Sequence, residues 1–262
     1  MKIIVCMKQV PDTNDIKIDP KTGTMIRDGV PSIINPDDRN GLEEALALKD
    51  KLGGSVTVIS MGPPQAEIAL KEALAMGADE AILLSDRVFS GADSWATSLT
   101  LALAVKKIEN YDLIICGRQA IDGDTAQVGP ELAEHLDLPQ VSYVRKVVSV
   151  DADKIVVERA LEDGYEVIEC QMPAILTAVK ELNIPRYPSM GGIVEAFRNK
   201  SITVWNNEAI GGIPQELGLK GSPTKVKRSF TPSLKGAGKM LEGTPKEVVK
   251  VLVQELKEKQ AI

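Results

Sequence analysis

The chain has 262 residues, 44% of them hydrophobic and 26% charged, which suits one large packed domain or two small ones and excludes a disordered or fibrous chain. Its 31 basic and 37 acidic side chains leave a net charge of −6, which argues against a nucleic-acid partner along the whole chain. Three Phe, two Trp and four Tyr are too few to form a stacking platform for single strands.

In chain order, residues 2–7 (KIIVCM) form a short apolar run that reads as a strand buried on both faces. Residues 12–30 hold Ile16, Ile18, Met25 and Ile26 around a Pro20–Gly23 turn and read as a small inserted hairpin. A helix opens at Asn35-Pro36, a cap residue followed by proline, with Asp37 and Asp38 in its first turn and Gly53-Gly54 ending it. Strands are expected at 56–60, 81–84 and 113–116, with helices over 63–76 and 93–108, the second presenting Trp95, Leu99, Ala102 and Leu103 on its apolar side. This alternation predicts an α/β fold: an open, mainly parallel nucleotide-binding sheet with helices on both faces.

After Pro139 the rhythm changes to strands at 142–150, 154–161, 165–169 and 174–179, joined by short acidic turns, which reads as an added antiparallel meander. Residues 182–189 (LNIPRYPS) read as an exposed loop and 191–200 as a short helix. The α/β domain is thus expected over 1–205. From 206 to 243 the chain holds seven Gly and three Pro with little apolar periodicity, the composition of a linker or arm. Thr244 and Glu247 then form a capping box around Pro245, and Val248, Val249, Leu252 and Leu256 line one helical face. Two packing surfaces are open to that C-terminal arm (206–262): its own domain or a partner subunit.

The scarce residues narrow the chemistry. A single histidine, His135, and three scattered cysteines, Cys6, Cys116 and Cys170, argue against a metal site, a cysteine-held cluster or a disulfide framework, and suit a reducing compartment. No apolar run approaches the ~20 residues of a membrane span, and the N-terminus lacks the shape of a signal peptide. A soluble cytoplasmic protein is expected. No side-chain set reads as a catalytic constellation, so chemistry falls to a cofactor, to carboxylates or to a partner.

One loop suits a phosphate. The strand at 113–116 runs into Gly117, Arg118, Gln119, Ala120, Ile121, Asp122, Gly123, Asp124, Thr125, Ala126 and Gln127. Ligands of open α/β sheets bind beyond the carboxyl ends of the strands. Gly117 and Gly123 allow close backbone approach, Asp124 or Thr125 can cap a helix whose N–H groups face an anion, and Arg118 can add a donor. Asp122 and Asp124 would repel phosphate and better suit ribose hydroxyls or backbone capping, placing the phosphates on the amides after them. A plain turn before a capped helix is the alternative. Asn35 and Met61 belong at the same crevice or serve as cap and core; Lys8 reaches a phosphate or solvent. Cys6 and Cys116 read as small core residues, and His135 as a surface or helix-end residue.

VERALEDGYEVIECQMPAILT at 157–177 carries the strongest signal, with KQVPD at the start, NP at 35–36, ALAMGAD at 73–79, GRQAIDGD at 117–124 and ELNIPRYPSM at 181–190. Together these resemble the β (small) subunit of electron-transfer flavoproteins along nearly the whole chain. The resemblance implies an α-subunit partner carrying FAD, with the C-terminal arm wrapped on it. It also implies an adenine-nucleotide site at Cys6, with Lys8 nearby, at Asn35, Pro36, Asp37 and Asp38, at Met61, and from Gly117 through Val128. Residues 184–190 resemble the loop that docks acyl-CoA-type dehydrogenases, with Arg186, Tyr187 and Met190 as docking residues and Met190 where the family usually has leucine.

Within the family, residues 122–130 (DGDTAQVGP) resemble the bifurcating branch and its nitrogen-fixation relatives. That implies FAD at the β-subunit site, with structural AMP as the alternative. It further implies NAD(P)H as electron donor, ferredoxin or flavodoxin as low-potential acceptor, and a dehydrogenase fed through the α-subunit FAD. A stress- or sensor-type adenine-nucleotide module would share the fold, but would need neither the meander signature, nor the loop, nor the arm.

Overall fold

The computed structural model describes residues 1–12, 31–227, 236 and 238–262. The chain divides into two compact units, Met1–Lys227 and Arg228–Ile262. In the first, β1 (Lys2–Cys6) leads to β2 (Gln9–Pro11), which pairs antiparallel with β3 (Ser32–Ile34). The hairpin expected over 12–30 lies, apart from Asp12, outside the described residues.

Helix α1 (Pro36–Leu52) follows, then β4 (Ser55–Met61), α2 (Glu67–Met76), β5 (Glu80–Leu84), α3 (Ser94–Ile108), β6 (Leu113–Gly117) and α4 (Val128–Leu136). Next come β7 (Gln140–Val150), β8 (Lys154–Ala160), β9 (Tyr165–Gln171) and β10 (Ala174–Ala178), then α5 (Met190–Arg198), β11 (Thr203–Trp205) and the short α6 (Gly218–Gly221). The nine-stranded sheet runs β11-β5-β4-β1-β6-β10-β7-β8-β9. Every pair from β11 to β7 is parallel, and β7, β8 and β9 pair antiparallel.

Alternate strand residues feed two cores. Ile3, Val5, Val58, Leu83, Ile115 and Leu176 pack under Leu42, Leu46, Leu70 and Leu74 of α1 and α2. Ile4, Ile59, Ile82, Ile114 and Ile175 pack under Leu101, Ala102, Val105 and Leu132 of α3 and α4. Burying each large aliphatic side chain contributes about 1.5–3 kcal/mol. The chain leaves β1 for β4 and β5 on one side and returns to β6 on the other. The carboxyl ends of β1 and β6 therefore form the crevice of an open α/β sheet.

Three expectations change. The meander has three strands, because β10 is buried along its whole length and slots in parallel between β6 and β7. A strand absent from the sequence reading, β11, closes the opposite edge. Residues 206–227 belong to the sheet unit and not to the arm: Ile210 and Leu217 are buried in the α3 core, and Asp93 Oδ2 accepts from Thr224 N at 2.9 Å. On α3, Trp95 is exposed and lies 4.3 Å from the His135 ring, while Leu99 and Leu103 are only partly buried.

The second unit contains α7 (Pro245–Glu258). Its capping box closes as expected, with Thr244 N donating to Glu247 Oε2 at 2.8 Å. None of its side chains is buried, and Val249, Val251, Leu252 and Val253 are exposed.

Candidate functional site

The crevice is held together by carboxylate and amide side chains of the first turn of α1. Asp38 Oδ2 accepts from Lys8 N at 2.7 Å and Oδ1 from Gly117 N at 3.0 Å, so one carboxylate spans the ends of β1 and β6. Burial raises its pKa to about 7, against the lowering effect of these bonds. Gly117 is required here, because a Cβ would lie 2.2 Å from Asp38 Oδ1.

Asn35 is fully buried but makes no side-chain cap. Its Nδ2 donates to Gln119 O at 2.8 Å and its Oδ1 accepts from Ile121 N at 3.0 Å, so it shapes the loop after β6. Asp37 Oδ2 stands 3.4 Å from Arg118 Nε, and burial raises the Asp37 pKa although Arg118 opposes the shift. Pro36 is exposed beside them, and Met61 is half-buried at the end of β4.

The loop itself is braced. Lys8 Nζ meets Asp122 Oδ1 at 2.6 Å and Oδ2 at 2.8 Å. Ala120 O accepts from Gly123 N and Asp124 N, and Gln119 Nε2 donates to Asp124 Oδ1 at 2.8 Å. The expected helix start at Asp124 or Thr125 moves to Val128, with Gln127 at the cap position. Asp124 and Ala126 instead take left-handed conformations, with φ of 49° and 54°. Gly123 has no such need; its Cβ position faces open space. Gly129 is the tight position, since a Cβ there would lie 2.5 Å from Thr177 Cγ2.

These geometries suit an anion. Among the described residues no acceptor meets the amides of Thr125, Ala126, Gln127, Val128 and Gly129. Arg118 Nε is buried without a hydrogen-bond partner. Free amides at a helix start, and a guanidinium whose Nε has an ion-pair partner at 3.4 Å but no hydrogen bond, are groups a phosphate can engage. Lys8 is not among them, because it is held by Asp122. Cys6 and Cys116 face each other across β1 and β6 as buried thiols. The hydrogen bond with Cys116, reinforced by burial, pushes the Cys6 pKa up, so it is a neutral floor residue and not a nucleophile.

Residues missed in the sequence brace the loop exit. Ser94 Oγ donates to Gln127 Oε1 at 2.9 Å and lies 3.2 Å from Glu131 Oε1, whose pKa burial raises. An acidic residue in a first helical turn was the available signal.

The 184–190 loop is largely exposed: Ile184 is 93% exposed, Tyr187 88% and Met190 78%. Met190 opens α5, which Ser189 caps by accepting from Gly192 N at 2.9 Å. Arg186 turns the other way. Its guanidinium pairs with Glu43 Oε2 at 2.9 Å and Asp50 Oδ2 at 2.9 Å, both on α1.

Residues 22–209 match the model of the electron transfer flavoprotein domain. The chain is 59% identical, over all of both chains, to the electron transfer flavoprotein subunit beta of Thermoanaerobacterium thermosaccharolyticum. It is 60% identical, again over all of both, to the caffeyl-CoA reductase-Etf complex subunit CarD of Acetobacterium woodii. The acryloyl-CoA reductase electron transfer subunit gamma of Anaerotignum propionicum matches at 47% over both full lengths. With its family model matched over residues 22–209 and these relatives matching along its full length, the chain belongs to the electron transfer flavoprotein family and is of the β-subunit type.

Proposed function

We propose that this β subunit pairs with an α subunit and holds FAD in the crevice between β1 and β6, as a member of the bifurcating branch. The observation that carries the reading is the run of amides from Thr125 to Gly129 without an acceptor among the described residues, together with Arg118 Nε, which is buried, 3.4 Å from Asp37 and without a hydrogen bond. It is supported by full-length similarity to a subunit of a caffeyl-CoA reductase-Etf complex.

When bound, FAD supplies acceptance of hydride from NAD(P)H and release of single electrons, one to ferredoxin or flavodoxin and one, through the α-subunit FAD, to an acyl-CoA-type dehydrogenase. The chain's own residues bind and orient. Amides of 125–129 and Arg118 would take the diphosphate. Asp122 is neutralised by Lys8, and Asp124 is turned onto Gln119, so neither presents a free carboxylate to it. Asn35 and Asp38 fix the loop and both strand ends before any ligand arrives, which lowers the ordering cost of binding. The exposed side chains of Tyr187 and Met190 are the docking surface for the dehydrogenase. A place in the cytoplasm agrees with three buried free cysteines, and among the described residues no helix is long and apolar enough to cross a membrane.

Cofactor release from the purified heterodimer tests the reading. Acid extraction followed by chromatography is expected to give two FAD and no AMP per heterodimer. One FAD and one AMP would overturn the bifurcating assignment and leave a β subunit with structural AMP.

A further inference from the structure

The docking loop is tied to one helix by a dense polar network. Asn40 Nδ2 donates to Asn183 O at 2.8 Å, and Asn183 Nδ2 returns bonds to Asn40 O at 3.1 Å and Glu44 Oε2 at 3.1 Å. Three residues on, Arg186 N donates to Glu43 Oε2 at 2.9 Å, Nε to the same oxygen at 2.9 Å and Nη2 to Glu43 Oε1 at 3.0 Å. The carboxylate of Glu43 is nearly buried, with its side chain 12% exposed, and Asp50 takes a further guanidinium bond. A two-pronged arginine–carboxylate pair fixes orientation as well as distance.

We infer that Arg186 is a positioning residue and not a docking contact: clamped by Glu43, it fixes the 183–189 segment so that Tyr187 and Met190 face outward for the acceptor dehydrogenase. The inference rests on the docking role proposed for this loop. Its geometric basis is the opposite aim of neighbouring side chains. Arg186 spends its donors on α1, while Tyr187 next to it is almost wholly exposed. Without the clamp, Tyr187 and Met190 remain present but sample many orientations, and their ordering is charged against each docking event. The clamp therefore acts on acceptor affinity and leaves electron entry untouched.

The test uses the intact heterodimer with Arg186→Gln, Glu43→Gln and the double variant, beside Met190→Ala. Either single clamp variant is expected to raise KM for the dehydrogenase about tenfold, the scale of one charge-assisted hydrogen bond lost from a partly exposed pair. Flavin content and NAD(P)H oxidation should stay at wild-type levels, and hydrogen exchange at 183–189 should accelerate. The double variant should be no worse than either single one, because both remove the same interaction. Multiplying effects in the double variant, or unchanged exchange at 183–189, would overturn the inference and make Arg186 a direct contact. If Met190→Ala leaves KM unchanged while the clamp variants accelerate exchange, the docking reading fails, and with it the role given to the clamp.

Discussion

Nζ of Lys8 lies 2.6 Å from Oδ1 of Asp122, joining the exit of β1 to the loop that leaves β6. The pair is unequal: the Asp122 side chain is 5% exposed and that of Lys8 41%. Removing the lysine therefore strands a carboxylate with little access to water. Lys8→Met should cost about 1–3 kcal/mol in denaturant unfolding, the penalty of an unsatisfied buried acceptor. Adding Asp122→Asn should return at least half of it. Equal stability of Lys8→Met and wild type would show that the pair braces nothing.

The buried Asp38 carboxylate makes stability depend on pH. Its pKa is about 7 in the folded chain, against an ordinary 3.8. Between those values the folded state holds more protons than the unfolded one, so this group's contribution falls as pH rises from about 4 to about 7 and is level above. Asp38→Asn, which cannot titrate, should lack that slope, although it loses one of two acceptors for the amides of Lys8 and Gly117. The stability gap between wild type and variant should thus be widest near pH 4 and narrow toward pH 8. A gap constant across that range would refute the assignment.

Two glycines of the loop should respond in opposite ways. Gly117→Ala drives a Cβ against Asp38, including its backbone N at 2.6 Å, and should destabilise the chain by about 1–3 kcal/mol, as overpacking does. A Cβ at position 123 meets nothing within 4 Å, so Gly123→Val should leave the fold intact. If the diphosphate lies along this loop, that same variant should keep the α-subunit flavin and lose the β-subunit one. Full retention of both flavins would move the phosphates elsewhere.

Deletion mapping separates the arm from the sheet unit. Removing 228–262, which forms a compact unit of its own, should leave a folded chain that no longer co-purifies with the α subunit. Removing 206–262 should instead destabilise the remainder, since it strips Ile210 and Leu217 from the α3 core. Loss of two buried aliphatic side chains is worth about 3–6 kcal/mol.

The differing legibility of these parts has physical causes. Buried parallel strands such as β1 and β6 announce themselves as continuous apolar runs, and the helix capped by Asp93 shows its start in the sequence. The same rule could have placed β10, since AILTA is continuous where β9 alternates, but its position after three meander strands masked the cue. β11 has three residues and no local signal; its pairing with β5 is purely tertiary. At the site, the crevice was legible from strand ends and glycines. The role of Asn35 was not, because a residue read as a helix cap gives no sign that its side chain instead serves a loop more than 80 residues away. Ala126 was equally silent, since alanine gives no hint of a left-handed backbone.

Helix α1 carries Asp38 at one end of its first turns and Glu43 little more than one turn further on. A 184–190 loop transplanted from another flavoprotein would need the helix residues that seat it here, Asn40, Glu43 and Asp50, or the graft would arrive without its mount. Two of those positions, Asn40 and Glu43, lie within five residues of the Asp38 carboxylate that joins β1 to β6. If the loop docks the acceptor as proposed, its preference can be re-engineered on this scaffold only with substitutions that leave the register of α1 undisturbed.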